Sequence, residues 1–230
     1  MNIDLIETLL ISLRVALAGM AGAGLIAVPV AFILARFDFP GKWLLSAITL
    51  LPLVMPPVVT GYVLLVLFGP HGPLGSLLSS MGIELAFRWT GAALAAGLVA
   101  LPLIIRPLRV ALEAVDPDLH EALKVAGHGR ISRFVKLDLP LVWPGLVAGL
   151  MLGFAKALGE FGATITFVAN IPGETRTLAL AVYTALQSVE GEQIVWILCT
   201  ISILISVLAV GLSEWLVARF DKRRKEHGHA

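Results

Sequence analysis

Long stretches without a formal charge constrain the fold of this chain more than any other feature of its sequence. A helix needs about 20 mostly apolar residues to cross the hydrocarbon layer of a bilayer. Five stretches meet that requirement, and we predict spans at about 9–35, 44–69, 89–105, 139–160 and 194–217. The sequence therefore predicts an all-α polytopic membrane protein with five transmembrane helices, in which residues 1–230 form a single transmembrane domain.

The composition excludes the common soluble classes. Hydrophobic residues make up 58% of the 230 residues and charged residues only 14%, whereas globular proteins are about half apolar and about a quarter charged. The single cysteine, Cys199, excludes a disulfide framework and a cysteine-based metal site. Disordered chains, collagen-like chains and basic nucleic-acid-binding proteins are excluded as well, so we expect no nucleic acid among the partners.

Prolines and glycines within the spans predict a bundle of kinked and closely packed helices. Pro56 and Pro57 lie within the second predicted span, and proline in a helix interior kinks or breaks the helix. Gly19, Gly22 and Gly24 give the first span a face of small residues, which favours close contact with a neighbouring helix.

The apolar stretch 177–189 differs from the spans because it is only 13 residues long. That length is too short to cross a bilayer as a helix. The sequence predicts either an interfacial helix or a re-entrant helix, and both interpretations stay open at this point.

The distribution of lysine and arginine predicts the orientation. Thirteen of the 17 basic residues fall on one side, in the loop after the first span, in segment 106–138 and after residue 217. Basic residues accumulate in cytoplasmic loops, so we expect the N-terminus outside and the C-terminus in the cytoplasm. The basic tail 222–228 is expected to bind anionic lipid headgroups.

The charged segment 106–138 contains a predicted amphipathic helix. Asp116 has the character of an N-cap, Pro117 suits the first helical position, and Gly127 suits the end of the helix. An apolar stripe follows the helical period at Leu119, Ala122, Leu123 and Ala126. From periodicity alone, this helix lies either on the membrane or its own chain, or on a partner protein.

A resemblance favours the partner protein. The segment EALKVAGHGRISRFVKLDLP is similar to the cytoplasmic loop motif of ABC importer permeases, with Leu137 replacing the usual Ile of the motif. In that family the loop forms a coupling helix that docks on a separate ATP-hydrolysing subunit. The resemblance implies the following coupling residues: Glu121, Ala122, Leu123 (where the motif has Ala), Gly127, Leu139 and Pro140.

Two further segments, LPLVMPPVVTGY and EFGATITFVANIPGETRT, resemble those of the membrane subunits of molybdate importers within this family. The resemblance implies a type I permease of the bacterial inner membrane that works as a homodimer with two cytoplasmic ATPase subunits. A periplasmic or lipid-anchored binding protein would supply the anion. Sulfate and tungstate permeases share parts of the same segments, so import of sulfate or tungstate is the alternative function.

Polar residues within the apolar segments are the candidates for lining an anion pathway, because polar groups inside a helical bundle tend to be functional. The candidates are Thr60, Tyr62, Lys156, Glu160, Thr164, Thr166 and Asn170. Threonines in spans can instead bond the preceding helical turn. Lys156 and Glu160, four residues apart, can instead form an ion pair that only stabilises their helix.

Residue patterns for catalysis are missing from the sequence. The five histidines have no carboxylate or cysteine partners at metal-binding spacing, and the chain lacks the phosphate-binding pattern GxxxxGK[ST]. We therefore expect no cofactor, no metal and no ATP hydrolysis by this chain itself. An intramembrane enzyme would need paired carboxylates or a Ser/His pair beside the spans, whereas a passive anion channel would not need the coupling motif.

Overall fold

The computed structural model describes residues 4–188 and 191–227, with the side chains of residues 130, 217 and 220–227 left aside. Position 189 of the predicted short helix and the side chains of the predicted lipid-binding tail therefore lie outside the described part. The described residues form eleven α-helices and one π-helical turn. The α-helices are α1 (Leu5–Arg36), α2 (Lys42–Val54), α3 (Pro57–Phe68), α4 (Pro73–Ser80), α5 (Trp89–Glu113), α6 (Pro117–Val125), α7 (Arg130–Arg133), α8 (Leu139–Leu158), α9 (Gly162–Val168), α10 (Leu178–Leu186) and α11 (Glu192–His227).

Four of the five predicted spans correspond to single helices that are long and apolar enough to cross a membrane. These are α1, α5, the continuous helix Ile131–Leu158 and the Glu192–Leu216 part of α11. The helices extend beyond the predicted spans, since α5 continues through Arg106 and Arg109 to Glu113. The all-α membrane fold predicted from the sequence is confirmed for the described residues.

The second predicted span, 44–69, differs from the prediction because it is a bent pair of helices. The axes of α2 and α3 meet at 112° across a break between Val54 and Pro57. Pro56 and Pro57 lack the backbone N–H that would continue α2, and Met55 is extended with ψ 143°. The described residues therefore contain four single-helix spans, or five if this pair is counted as one span.

The core of the bundle is formed by α1, α5 and α8. Small residues bring α1 and α5 together, since a Cβ added at Gly19 would lie 2.7 Å from the carbonyl oxygen of Ala93. A Cβ at Gly97 would lie 2.6 Å from the carbonyl oxygen of Gly19. The close contact predicted for the first span is thus present at Gly19 and at Gly24, where an added Cβ would lie 2.9 Å from Leu150, whereas a Cβ added at Gly22 would meet no described atom of another element within 4 Å.

The short helix α9 packs against α3 and holds the bent pair in place. A Cβ at Gly61 of α3 would lie 2.5 Å from the carbonyl oxygen of Ala163, and a Cβ at Gly162 would lie 2.9 Å from the Cβ of Pro57. Only glycine allows the two backbones to approach this closely. The two segments singled out in the sequence, LPLVMPPVVTGY and EFGATITFVANIPGETRT, therefore meet in the structure.

Candidate coupling and translocation sites

The amphipathic helix predicted between the spans is α6, and both of its ends form as expected. The Asp116 side chain accepts a hydrogen bond from the Asp118 N–H at 2.9 Å, with Pro117 as the first helical residue. At the other end, Gly127 has a φ of +82°, the left-handed region that glycine favours. The N–H groups of Gly127 and His128 donate to the carbonyls of Lys124 and Leu123, which is a Schellman motif.

The described residues of α6 include none that is buried. Glu121 and Ala122 are exposed, Leu123 is half-buried, and the Glu121 carboxylate lies 3.3 Å from the Lys124 ammonium. Two large apolar side chains near the helix end, Val125 and Ile131, are 87% and 82% exposed. The other two predicted coupling residues, the half-buried Leu139 and the exposed Pro140, lie apart from α6 at the start of α8. The region around α6 therefore presents exposed apolar side chains.

A buried carboxylate at the base of α6 was missed by the sequence reasoning. Asp138, which is 1% exposed, lies in the π-helical turn Phe134–Asp138 just before α8. Arg36 donates from Nη2 to Asp138 Oδ1 at 2.6 Å, and His120 Nε2 lies 3.0 Å from the same oxygen. Arg133 Nη1 donates to the His120 carbonyl at 3.4 Å. We call Arg36, His120, Arg133 and Asp138 the Asp138 cluster. The sequence feature that could have indicated this buried carboxylate is a single aspartate between Leu137 and Leu139.

The predicted pathway residues of α3 differ in their surroundings. Thr60 is buried, and its hydroxyl has no hydrogen-bond partner among the described residues. Tyr62, two residues further on, is 60% exposed. Thr166 lies opposite, within reach of a Cβ added at Gly61. Thr166 of α9 therefore lies next to Gly61, the residue between Thr60 and Tyr62.

The two threonines of α9 bond their own helix. Thr164 donates from Oγ1 to the Phe161 carbonyl at 2.9 Å, and Thr166 donates to the Gly162 carbonyl at 2.8 Å. Each hydroxyl keeps free acceptor capacity after this bond. This arrangement is the local alternative that the sequence reasoning left open for threonines.

Lys156 and Glu160 form the ion pair expected from their spacing. The Lys156 Nζ lies 3.1 Å from Glu160 Oε2, while Glu160 Oε1 accepts from the Ala163 N–H at 2.9 Å. Glu160 is 2% exposed, and it lies at the break between α8 and α9. Its carboxylate therefore bonds a free N–H in the first turn of α9 as well as neutralising the lysine.

Asn170 is held by the turn that follows α9. Its Nδ2 donates to Thr184 Oγ1 at 2.6 Å, and its Oδ1 accepts from Arg176 Nε at 3.1 Å. The short apolar helix predicted at 177–189 is present as α10, whose first N–H, on Leu178, donates to the buried Ser12 of α1. Asn170 thus joins this turn to α10.

A further ion pair lies at the start of α2. Lys42, the first residue of α2, donates to Asp38 Oδ1 at 2.8 Å, and this hydrogen bond, together with the lysine's charge, lowers the pKa of the exposed Asp38 carboxyl. Among the described residues, no three His, Cys, Asp or Glu side chains are close enough together to hold a metal ion.

Known proteins are similar to this chain in sequence and in fold. The family described as "Binding-protein-dependent transport system inner membrane component" matches residues 27–225. The molybdenum transport system permease protein ModB of Escherichia coli K12 is 50% identical over 195 residues, covering 84% of this chain and 85% of that protein. ModB of Haemophilus influenzae is 44% identical over 219 residues, covering 95% and 96%.

A more distant relative and a solved structure extend the comparison. The sulfate transport system permease protein CysT of Salmonella typhimurium is 35% identical over 167 residues, covering 73% of this chain and 60% of that protein. The inward-facing MetNI methionine ABC transporter shares the fold with a TM-score of 0.70 at 17% identity, covering 96% and 99%. The chain therefore belongs to the family of binding-protein-dependent transport system inner membrane components, and it is a multi-pass ABC transporter permease subunit.

Proposed function

We propose that this chain is the membrane subunit of an ATP-driven importer of a tetrahedral oxyanion, and that the anion is molybdate. The observation that carries the proposal is α6, a capped amphipathic helix without buried residues among those described, in a chain half identical to a molybdenum permease. An exposed apolar surface of this kind is typical of a protein–protein contact. ATP would be hydrolysed by a separate partner subunit.

Docking of α6 on a cytoplasmic ATPase subunit accounts for its chemistry. Ala122 and the half-buried Leu123 offer apolar area, Glu121 offers a carboxylate at the exposed face, and Gly127 turns the chain sharply behind them. Leu139 and Pro140 begin the helix that leads from this contact into the membrane. Movement of α6 would therefore reach α8 across the turn at Gly127 and then through the continuous helix Ile131–Leu158.

We further propose that residues 1–230 act as one transmembrane domain and that two copies enclose the anion route. The N-terminus would lie outside and the C-terminus in the cytoplasm, as the basic residues indicate. Two ATPase subunits would bind the two copies of α6, and an external binding protein would deliver the anion. The outward side chains of the bent pair, such as Val54 and Tyr62, are exposed in one copy and available to a second.

The route is proposed to pass the contact between α3 and α9. Thr60, Tyr62 and Thr166 supply hydroxyls there, and the free ends of short helices supply backbone N–H groups, which stabilise anions. Lys156, Glu160, Thr164 and Asn170 are proposed as further residues of the route, and their side chains also bond neighbouring groups. Transfer of a dehydrated dianion into an entirely apolar channel would be strongly unfavourable, so the route needs polar groups.

Reconstitution tests the proposal directly. The chain is placed in liposomes with its ATPase and binding protein, and molybdate uptake is measured with ATP and with a non-hydrolysable analogue. We expect uptake only with ATP. Rapid uptake by the chain alone would instead establish a passive anion channel.

Sulfate is the second candidate, because a sulfate permease is among the relatives. Competition between molybdate, tungstate and sulfate on the assembled complex decides between them. We expect molybdate uptake to be insensitive to an equal concentration of sulfate. Preferential uptake of sulfate or tungstate would replace molybdate as the substrate while leaving the importer assignment intact.

A further inference from the structure

The Asp138 cluster joins three parts of the chain that are distant in sequence. Arg36 is the last residue of α1, His120 lies in α6, and Asp138 ends the π-helical turn before α8. The Arg36–Asp138 hydrogen bond spans 102 positions of sequence. The base of α6 is therefore connected to the end of the first span through a single carboxylate.

Burial makes this connection stiffer than a surface ion pair. Exposed ion pairs contribute little because water and salt screen them, whereas a carboxylate that is 1% exposed depends on its partners for compensation. Separating Asp138 from Arg36 would leave a buried charge uncompensated. Displacing either residue without the other is therefore unfavourable.

The π-helical turn contacts α1 at a second point. Phe134 packs edge to face against Phe32, with ring centroids 5.0 Å apart, one turn before Arg36. The extra residue of a π turn rotates the following side chains relative to an α-helix, and such turns occur frequently at functional sites. Both ends of this turn thus pack on the last two turns of α1.

Apolar packing holds α6 only weakly, so polar contacts of His120 matter for its position. A cavity of about 390 Å³ lies beside the cluster, lined among others by Phe37, Pro117 and Glu121. The cavity leaves space for α6 to shift toward α1. His120 lies at the edge of that space.

The hydrogen bonds of the cluster are incomplete in this arrangement. His120 Nε2 is 3.0 Å from Asp138 Oδ1, yet the two groups are not aligned for a hydrogen bond. The Nε atoms of Arg36 and Arg133 are also buried without a partner among the described residues. Buried donors without partners are unfavourable, so a small rotation of α6 that aligns His120 with Asp138 would be stabilised.

We propose that His120 and Asp138 are positioning residues that carry a displacement of α6 to the cytoplasmic end of α1 through Arg36. This inference rests on the proposed function, in which α6 docks on an ATPase subunit. Docking changes the angle of α6, the His120–Asp138 contact realigns, and α1 follows because Arg36 is bound to the same carboxylate. The link supplements the direct path from α6 into α8.

The experiment measures ATP hydrolysed per molybdate imported by the complete complex in liposomes. The variants are His120→Ala, His120→Gln, Asp138→Asn and the double variant His120→Ala/Asp138→Asn. We expect the ratio to rise about tenfold in both His120→Ala and Asp138→Asn, the size of a typical coupling between sites. His120→Gln should stay near the wild-type ratio, because glutamine retains a donor near the position of Nε2. The double variant should be no worse than the single ones.

His128→Ala is the matched control, because the His128 ring contacts Ser132 within its own segment and lies outside the cluster. It should leave the ratio unchanged. Wild-type ratios in His120→Ala, or additive effects in the double variant, would overturn the link. If Asp138→Asn fails to assemble, the comparison of His120→Ala with His120→Gln still decides, since assembly of both is checked by co-purification of the ATPase.

The wild-type complex separates this inference from the proposed function. If wild type imports molybdate with ATP while His120→Ala behaves like it, only the link is wrong. If wild type shows no ATP-dependent import, the importer proposal fails and the link fails with it.

Discussion

Gly127 shows how one backbone angle determines which residue a position tolerates. Its φ of +82° lies in the left-handed region, where a side chain with a Cβ is strained by about 1–2 kcal/mol. The same geometry lets the N–H groups of Gly127 and His128 bond the last turn of α6. The end of α6 is therefore fixed by a residue without a side chain.

Gly127→Ala should weaken the stimulation of the partner ATPase by this chain, because the strained turn loosens the end of α6. Steady-state ATP hydrolysis by the assembled complex, with and without loaded binding protein, measures the effect. Gly129→Ala is the control, since its Cβ would meet no described atom within 4 Å and its φ is not in the left-handed region. Equal stimulation in both variants would contradict the role given to Gly127.

The Lys156–Glu160 pair allows a second prediction for single residues. Lys156→Met should destabilise the chain by roughly 3 kcal/mol, because it leaves the buried Glu160 carboxylate without its cation. Adding Glu160→Gln should recover most of that loss, since the glutamine oxygen can still accept from Ala163. Thermal unfolding in detergent compares the variants. A double variant less stable than Lys156→Met would contradict the neutralised-pair interpretation.

At the scale of helices, close backbone contact determines how the elements pack. The crossing of α1 and α5 at Gly19 and Gly97 resembles the contact of α3 with α9 at Gly61. In both places a backbone carbonyl occupies the space that a Cβ would need. Small residues are favoured in membranes because lipid supplies no hydrophobic driving force between helices, so close approach matters more.

Gly97→Ala should lower the midpoint of thermal unfolding, because its Cβ would lie 2.6 Å from the Gly19 carbonyl oxygen and force the helices apart. Overpacking of this kind costs about 1–3 kcal/mol. Gly22→Ala, on the same α1 but without a neighbour within 4 Å among the described residues, should leave the midpoint unchanged. An unchanged midpoint for Gly97→Ala would show that the crossing can relax.

Local signals predicted the helices better than their packing. Asp116, Pro117 and Gly127 predict the bounds of α6, because caps depend on residues within one turn. Pro56 and Pro57 predict a break but not its 112° angle, and α3 packs on α9, which lies about a hundred residues later in the sequence. Asp138 was missed for the same reason, since its partner Arg36 is 102 residues away.

For the whole molecule, the asymmetry of charge is the property from which the orientation in the membrane is predicted. Basic residues cluster around α6 and in the last part of α11, whereas the turn between α3 and α4, which carries His71, has none. Both His71 and Asp118 of α6 are exposed. If the proposed orientation is right, His71 is accessible from outside the membrane and Asp118 from the cytoplasm.

Labelling tests that orientation. In a Cys199→Ser background, His71→Cys should react with a membrane-impermeant maleimide in spheroplasts, and Asp118→Cys only after the cells are broken open. Each variant serves as the control for the other, because Cys199 is the single native cysteine. The reverse pattern would invert the molecule and place α6 outside, beyond the reach of any ATPase.

The sharp bend between α2 and α3 has a consequence for solvation. At the bend, α2 ends and α3 begins without a capping side chain among the described residues, inside a stretch as apolar as a membrane span. Peptide groups left open at such a bend cannot face acyl chains. The peptide groups at this bend must therefore contact water or other parts of the protein. We expect the Val58 amide to exchange its hydrogen faster than amides in the middle of α5.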